Sequence, residues 1–384
     1  MMYKKVAVFI PVHEIPKRAA EIASTLSAEG YDEGQVLLVV DGETTTEISE
    51  ALDPIRGLPG VTVVDGRPHL GKAEAINRAV REQGSEFLLF LDNDIELPSG
   101  TPFLELTAGI LEQNDIAELP KAGRGRGPVA AMETYEFLSN VVATEYLAAR
   151  TGRVPSLNGA AFACRRSLFD RLGGFRTVVN EDTDFAARAF LASARFGFDP
   201  AMTVGNEVPE TPAAWLKQRR RWSLNMALWS MTYMDGIMRH DPELRPALSV
   251  SGLLFPLPLL ALLAGALLPL IPADIYHLRG AAAAAASFLG LILLFGPVAM
   301  FYARKSRQYG SHFGLPSFTA YALIYLPIWG LASALGVLGI ASGKLPELDW
   351  KHDPSKSMAA IERKKALRAA RKSLKRRSLR VGAD

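Results

Sequence analysis

Phe87-Leu-Leu-Phe-Leu-Asp-Asn-Asp94 is the stretch on which the reading of this sequence turns. Five apolar residues with no intervening charge suit a strand buried on both faces, and the run stops at an Asp-x-Asp. Upstream, Val6-Ala-Val-Phe-Ile10 is a second such run, closed by Pro11, and Gln35-Val-Leu-Leu-Val-Val40 is a third, running into Asp41-Gly42. Val61 to Val64 makes a fourth.

Helical spacing fills the gaps between these runs. From Arg18 to Glu29 the residues Ala19, Ile22, Ala23 and Leu26 share one face, with Gly30 where a helix would stop. Thr46–Leu52 and Gly71–Glu82 read as further helices. Repeated strand-helix-strand units predict an α/β fold, a parallel sheet between helices that binds its ligand beyond the carboxyl ends of the strands. Asp41 and Asp92 fall just past strand ends and should face that crevice. Gly123-Arg-Gly-Arg-Gly127 reads as a mobile loop, with a phosphate-binding nest as the alternative.

The 384 residues have room for one large domain and something smaller, and 49% of them are apolar. Charge almost vanishes between Ala247 and Gly343. Three uncharged stretches there, Ala247–Ala273, Ala281–Ala303 and Gln308–Gly343, each exceed the roughly 20 residues that cross a bilayer. Pro256, Pro258, Pro269 and Pro272 crowd the first stretch and predict a kinked or re-entrant path. Met226 to Met238 suits a helix in the interface, with Trp229 and Tyr233 at headgroup depth. The expected organisation is a catalytic domain over 1–225, an interfacial helix over 226–246, a transmembrane region over 247–343 and a basic tail over 344–384.

The net charge of +3 conceals a basic run from Arg363 to Arg380. Beside a membrane segment such a run points to anionic lipid headgroups rather than nucleic acid. Cys164 is the only cysteine, which excludes an intrachain disulfide and suits a reducing compartment. Lys4 and Lys5 precede an apolar run too short for a signal peptide, so the expected location is a multi-pass cell-membrane protein with a cytoplasmic catalytic domain. Three spans would carry the basic tail across the bilayer. A re-entrant first or third stretch would keep it inside.

Four groups of residues carry candidate chemistry. Asp92 and Asp94 offer hard oxygen ligands for Mg²⁺ or Mn²⁺, provided the chain turns so that both meet one cation. Lys72, at the start of a helix, adds a charge where backbone N–H groups already favour an anion, although a surface lysine fits the same pattern. Glu181-Asp182 precedes the apolar-periodic segment Phe185–Leu191 and reads equally as a general base or as a helix cap. Gln218-Arg-Arg-Arg-Trp222 sets cations beside an aromatic, for a diphosphate and a sugar face or for a membrane interface.

In order along residues 6 to 225, these segments resemble the family 2 inverting glycosyltransferases of GT-A fold. That family includes cellulose, chitin and hyaluronan synthases and dolichyl-phosphate sugar transferases. The resemblance rests on Ile10-Pro-Val-His-Glu14, Asp41-Gly42, Gly71-Lys-Ala73, Asp92-Asn-Asp94, Asn158-Gly-Ala160 with Arg165-Arg166, Gly173-Gly-Phe175, Glu181-Asp182 and Gln218 to Trp222.

It implies a Rossmann-like GT-A domain followed by transmembrane helices, a nucleotide-diphospho-sugar donor and a divalent cation. Pro11, Glu14 and Asp41 would line the base and ribose pocket, Lys72 would touch the diphosphate, and Asp92 with Asp94 would hold nucleotide and metal. Asp182 would be the catalytic base, with Glu181 beside it. Asn158, Gly159, Gln218, Arg221 and Trp222 would contact diphosphate and acceptor, as in the membrane synthase branch. His13 stands where the family usually has asparagine, and Asp41 lacks the paired aspartate and following serine. The expected reaction is transfer to a lipid-linked or membrane-proximal glycan. A processive polysaccharide synthase is the alternative, with a nucleotidyltransferase or a non-catalytic sugar-nucleotide-binding protein further off.

Overall fold

The computed structural model describes residues 5–12, 18–29, 35–42, 44–66, 69–98, 100–178, 180–240, 242–254, 256–267 and 281–341. His13, Glu14, Gly30 and the basic tail therefore lie outside the described residues. The first third alternates as expected: β1 (Val6–Val12), α1 (Ala19–Ser27), β2 (Val36–Asp41), α2 (Thr46–Leu52), β3 (Val61–Gly66), α3 (Lys72–Arg81) and β4 (Phe87–Leu91). These strands pair in parallel in the order β3-β2-β1-β4, with Val8 beside Val36 and Val6 beside Phe87.

Successive side chains of β1 enter opposite layers, as strand geometry requires. Val6, Val8 and Ile10 meet Ile22 and Leu26 of α1 and Phe103, Leu104 and Leu111 of α4 (Phe103–Gln113). Ala7 and Phe9 meet Ala75, Ile76 and Ala79 of α3. Pro11 does not end β1, which runs on to Val12. Its carbonyl accepts from Asn93 Nδ2 at 3.2 Å on the β4 side, where β4 has already ended at Leu91. No ladder partner remains there to need an N–H, and proline is tolerated.

The sheet is not wholly parallel. Three short strands follow, β5 (Ile95–Glu96), β6 (Ile116–Glu118) and β7 (Lys121–Arg124), and then the long helix α5 (Gly127–Thr151). From there β8 (Ala161–Arg165) enters antiparallel beside β4, with Ala161 opposite Leu91 and Arg165 opposite Phe87. The main sheet closes with β6 and β9 (Phe196–Phe198), giving seven strands in the order β3-β2-β1-β4-β8-β6-β9. A second sheet of three strands orders β5, β10 (Val204–Glu207) and β7. Of the expected mobile loop Gly123–Gly127, Gly123 and Arg124 thus belong to β7, Gly125 and Arg126 form a short connection, and Gly127 opens α5. Gly123 permits this by close approach: a Cβ there would stand 2.9 Å from Thr134 Oγ1 on α5.

After α6 (Arg166–Arg171) and α7 (Glu181–Leu191), a single helix of 29 residues, α8 (Pro212–His240), passes residue 225 without a break. The expected boundary between catalytic domain and interfacial helix falls inside it. Trp229 and Tyr233 turn their polar atoms inward rather than to headgroups. Trp229 Nε1 donates to the Thr183 carbonyl at 3.0 Å, and the Tyr233 hydroxyl donates to Asp184, both on α7.

The apolar region begins with α9 (Arg245–Leu254) and α10 (Leu257–Leu267), bent by 66° at the break holding Pro256. Next, α11 (Ala281–Gly290) and α12 (Gly296–Gln308) flank a π turn at Leu291–Phe295. Likewise α13 (Leu315–Ala320) and α14 (Leu326–Ala341) flank a π turn at Tyr321–Tyr325. Each π turn ends two residues before a proline, Pro297 or Pro327. A proline interrupts the backbone ladder behind it, and a wider turn absorbs that break. Among the described residues two helices, Ala285–Gln308 and Leu315–Leu335, are long and apolar enough to cross a membrane, and the bent pair makes a third if it counts as one span. Of the three expected stretches the third is shorter than read, because Gln308 closes the preceding helix.

Polar side chains of α5 bind these helices to the rest of the protein. The Gly314 N–H donates to the Tyr135 hydroxyl at 2.8 Å, Ser139 meets the Tyr302 and Tyr321 hydroxyls, and Glu145 pairs with Lys305. Arg219 of α8 is wholly buried, ion-paired to Glu133 and Glu136 of α5 and stacked on Trp222 and Trp329 at 4.3 and 5.1 Å. It is therefore a core residue and not part of an interfacial belt. Arg219→Ala strands two buried carboxylates and should cost about 3–5 kcal/mol of stability by thermal or denaturant melting. Arg220→Ala, at an exposed position, should stay within about 0.5 kcal/mol.

Candidate active site

Three strand ends meet at one edge of the main sheet. β1 delivers Pro11, β4 delivers Asp92, and the segment entering β8 delivers Gly159. Because β8 runs opposite to β4, its beginning abuts the end of β4, and the Asp92 N–H donates to the Ala160 carbonyl at 2.7 Å. Helix starts supply the rest: Lys72 opens α3, and Glu181 and Asp182 open α7. These residues, with Ile76, Phe90, Leu91, Phe162 and Phe175, line a cleft of about 260 Å³, its open mouth included.

Lys72 is the cation of this cleft. Its Nζ lies 2.7 Å from Asp92 Oδ1 and 3.4 Å from Glu181 Oε1. Burial works against the ammonium, but Asp92 and Glu181 outweigh it and hold Lys72 protonated well above an ordinary lysine. Burial pushes both Glu181 and Asp182 above the usual carboxylate range, opposed chiefly by Lys72. Asp182 Oδ1 accepts the Thr183 N–H at 2.7 Å and Oδ2 the Gly159 N–H at 2.9 Å. The first bond satisfies a free N–H of the helix's opening turn, so the capping role and the cleft-facing position coexist in one side chain.

Gly159 is there because nothing larger fits. A Cβ on it would stand 2.5 Å from Asp182 Cβ and Cγ, and closer still to Oδ2.

Other sequence candidates sit around this centre rather than in it. Asp41 accepts the N–H groups of Leu70 and Gly71 at 2.8 and 3.1 Å, with His69 Nδ1 3.0 Å from its other oxygen. It thereby fixes the loop that leads into Lys72. Asp94 lies in the turn after β4, the change of direction that two carboxylates on one cation require. Asn158 Oδ1 accepts the Ala160 N–H at 3.0 Å and shapes the turn that carries Gly159. Gln218, Arg221 and Trp222 lie on α8 and do not line the cleft; Arg221 is exposed, and Trp222 packs on Arg219 and Phe137.

The sequence matches glycosyl transferase family 2 over residues 7–173 and glycosyl transferase family group 2 over residues 103–331, more than half of the chain. The chain belongs to glycosyl transferase family group 2. Its fold is mixed α/β and GT-A-like.

Among its relatives is the probable glycosyltransferase YdaM of Bacillus subtilis (strain 168), 27% identical over 237 residues, or 57% of this chain and 54% of the relative. Another is the poly-beta-1,6-N-acetyl-D-glucosamine synthase of Staphylococcus epidermidis, 23% identical over 212 residues, or 53% of this chain and 49% of the relative. The chain thus spans about half the length of the curated relatives it matches. In fold it is similar to mannosyltransferase PcManGT from Pyrobaculum calidifontis, solved in complex with GDP-Man and Mn²⁺. There the TM-score is 0.50 and the identity 20%, over 87% of each chain.

Sequence reading missed a buried pair behind the cleft, Glu118 and Lys121. Both flank Leu119-Pro120, and their types at that spacing look like any surface turn. It also left Arg219 as a cation for a membrane interface; the signal that it turns inward was present in Glu133 and Glu136, an i,i+3 acidic pair on one helix face. Gly159→Ala should displace the Asp182 carboxylate and lower turnover by on the order of 10²-fold with little loss of melting temperature. Steady-state assay beside a melting curve checks it.

Proposed function

We propose that this glycosyltransferase transfers a sugar, with inversion, from a nucleotide-diphospho-sugar to a lipid-linked or membrane-proximal glycan acceptor at the cytoplasmic face of the cell membrane. The observation that carries this reading is the meeting of Lys72, Asp92, Glu181 and Asp182 in one cleft beyond the strand ends. On this reading residues 1–225 hold the catalysis, 247–343 the membrane region and 344–384 a lipid-facing tail. The GDP-Man and Mn²⁺ bound to the mannosyltransferase of similar fold support a donor and a cation of that class.

The donor set suits such a cation. Asp92 and Asp94 flank one turn, and no group of three or more His, Cys, Asp or Glu able to hold a metal occurs among the described residues. One or two carboxylates completed by phosphate oxygens is how Mg²⁺ is commonly bound in nucleotide enzymes, and Mn²⁺ accepts the same ligands. Held by Asp92 and Asp94, the ion would neutralise the donor's diphosphate.

Asp182 takes the proton of the acceptor hydroxyl. The acceptor oxygen then bonds to the anomeric carbon from the face opposite the nucleotide, and the bond to the diphosphate oxygen breaks with its electron pair. Lys72, held protonated, stabilises the departing diphosphate, and Arg221 with Gln218 and Trp222 would approach from α8 as acceptor and leaving group enter. Pro11, Glu14 and Asp41 would frame the base and ribose, and Asn158 and Gly159 the diphosphate and acceptor. One span end supports the proposed orientation. Arg304, Lys305 and Arg307 close the helix Ala285–Gln308, and there Lys305 pairs with Glu145 while Arg124 donates to the Gly310 carbonyl at 3.1 Å. Basic residues favour the cytoplasmic side, and this end is tied to the catalytic part.

The Staphylococcus synthase relative and the Gln218–Trp222 segment favour a processive polysaccharide synthase as the second reading. Purified protein in lipid, given a panel of nucleotide sugars with Mn²⁺ or Mg²⁺, should release nucleoside diphosphate with one donor. Product length on a gel separates single transfer from a polymer, and pyrophosphate release instead would reject the reading.

Asp182→Asn should lower transfer by about 10²-fold or more while donor binding persists. The sign of the pH dependence follows from Asp182, whose pKa burial raises and which acts only when ionised. Activity should therefore grow with pH through a limb lying above the ordinary aspartate value of about 3.9, read from kcat/KM against pH.

A further inference from the structure

Behind the cleft lie two charged side chains that the mechanism leaves unused. Lys121 opens β7 and Glu118 closes β6, 2% and 4% exposed. Lys121 Nζ donates to Glu118 Oε1 at 3.1 Å, to the Asn158 carbonyl at 2.6 Å and to the Ala161 carbonyl at 2.7 Å. An ammonium has three hydrogens, so its whole capacity is committed, two parts of it to carbonyls on either side of Gly159.

The segment so gripped is the bridge between two cleft carboxylates. The Ala160 carbonyl receives the Asp92 N–H, and the Gly159 N–H goes to Asp182 Oδ2. Asn158 Oδ1 closes the turn on itself at the Ala160 N–H. Burial pulls the Lys121 ammonium down and pushes the Glu118 carboxyl up, and each opposes that pull on the other by favouring its charged form. A buried ion pair is an inefficient way to gain stability, since apolar side chains of similar volume commonly do as well or better. What apolar chains cannot do is hold two carbonyls at a fixed separation.

We infer that Lys121 is a positioning residue for the transfer reaction: its ammonium fixes the turn from Asn158 to Ala161 and, through the Gly159 N–H, the carboxylate of Asp182. Glu118 supplies the countercharge. The inference rests on Asp182 being the base.

The test is the double variant Glu118→Leu with Lys121→Met, which leaves no buried charge unpaired, studied as the full chain in lipid. Its melting temperature should match or exceed that of the parent. Amide hydrogen exchange in 158–161 should quicken by about tenfold or more. The kcat should fall by about tenfold or more, with the donor KM within about twofold.

Exchange that stays slow means the turn does not depend on Lys121, and overturns the inference whatever the rate does. Faster exchange with unchanged kcat overturns it too, because the reaction then does not need the turn held. Glu118→Gln, which keeps both lysine–carbonyl bonds, should retain most of the turnover. A loss equal to that of the double variant would assign the effect to charge and reject the carbonyl grip. If the double variant does not fold, Lys121→Met with Glu118→Gln, which likewise removes both lysine–carbonyl bonds and leaves no charge, takes its place under the same readings. Asp182→Asn with normal turnover sinks the base assignment separately, without touching the exchange result.

Discussion

One strand that runs against its neighbours makes the site. Had β8 joined the sheet in parallel, its carboxyl end would have reached the crevice and its first residues would have lain at the far edge. Running antiparallel beside β4, it brings Gly159 to Asp182 and the Ala160 carbonyl to Asp92. The open edge is thereby built from the ends of two strands and the start of a third. Gly159 can occupy the junction because it lacks a side chain, and so the carboxylate can sit on the backbone itself.

Charge then shapes what the cleft will accept. Asp92, Glu181 and Asp182 line it with Lys72, and burial raises the cost of ionising Glu181 and Asp182. An anionic substrate cannot settle among three carboxylates on the strength of one ammonium. On the proposed donor, positive charge would have to arrive with the substrate, and the Asp-x-Asp turn would offer a divalent ion oxygen ligands. Lys72 does double duty in this balance: it offsets the cost of burying the carboxylates and is itself held protonated by them.

Sequence revealed the parts of the protein that obey short-range rules. The apolar runs and helical spacings before residue 91 located β1 to β4 and α1 to α3 within a few residues, because buried parallel strands and amphipathic helices write their periods directly. Lys72, Asp92, Glu181 and Asp182 were legible as ends of elements, and ends of elements are where such sheets bind. The reversal of β8 was not legible, since Ala161–Arg165 reads the same in either direction. Nor was the division of labour among Arg219, Arg220 and Arg221: helical phase sends one inward, and only the glutamates of α5, some 80 residues earlier, reveal which. Trp229 and Tyr233 misled for a similar reason, because an aromatic with a polar tip suits a headgroup layer and a helix–helix contact equally well.

The placement of Arg219 bears on how the enzyme can be handled. Its guanidinium is shared between α5, α8 and the apolar helices, where Trp329 stacks on it and Tyr325 bonds to Glu136. A chain truncated after His240 to obtain a soluble fragment would keep the arginine and both glutamates but lose that aromatic cover. Water would enter a site built to exclude it, loosening the contact between α8 and α5 one helix away from the cleft. The apolar helices thus share a buried charge cluster with α5 and α8, and the natural unit for purification is the chain that keeps them.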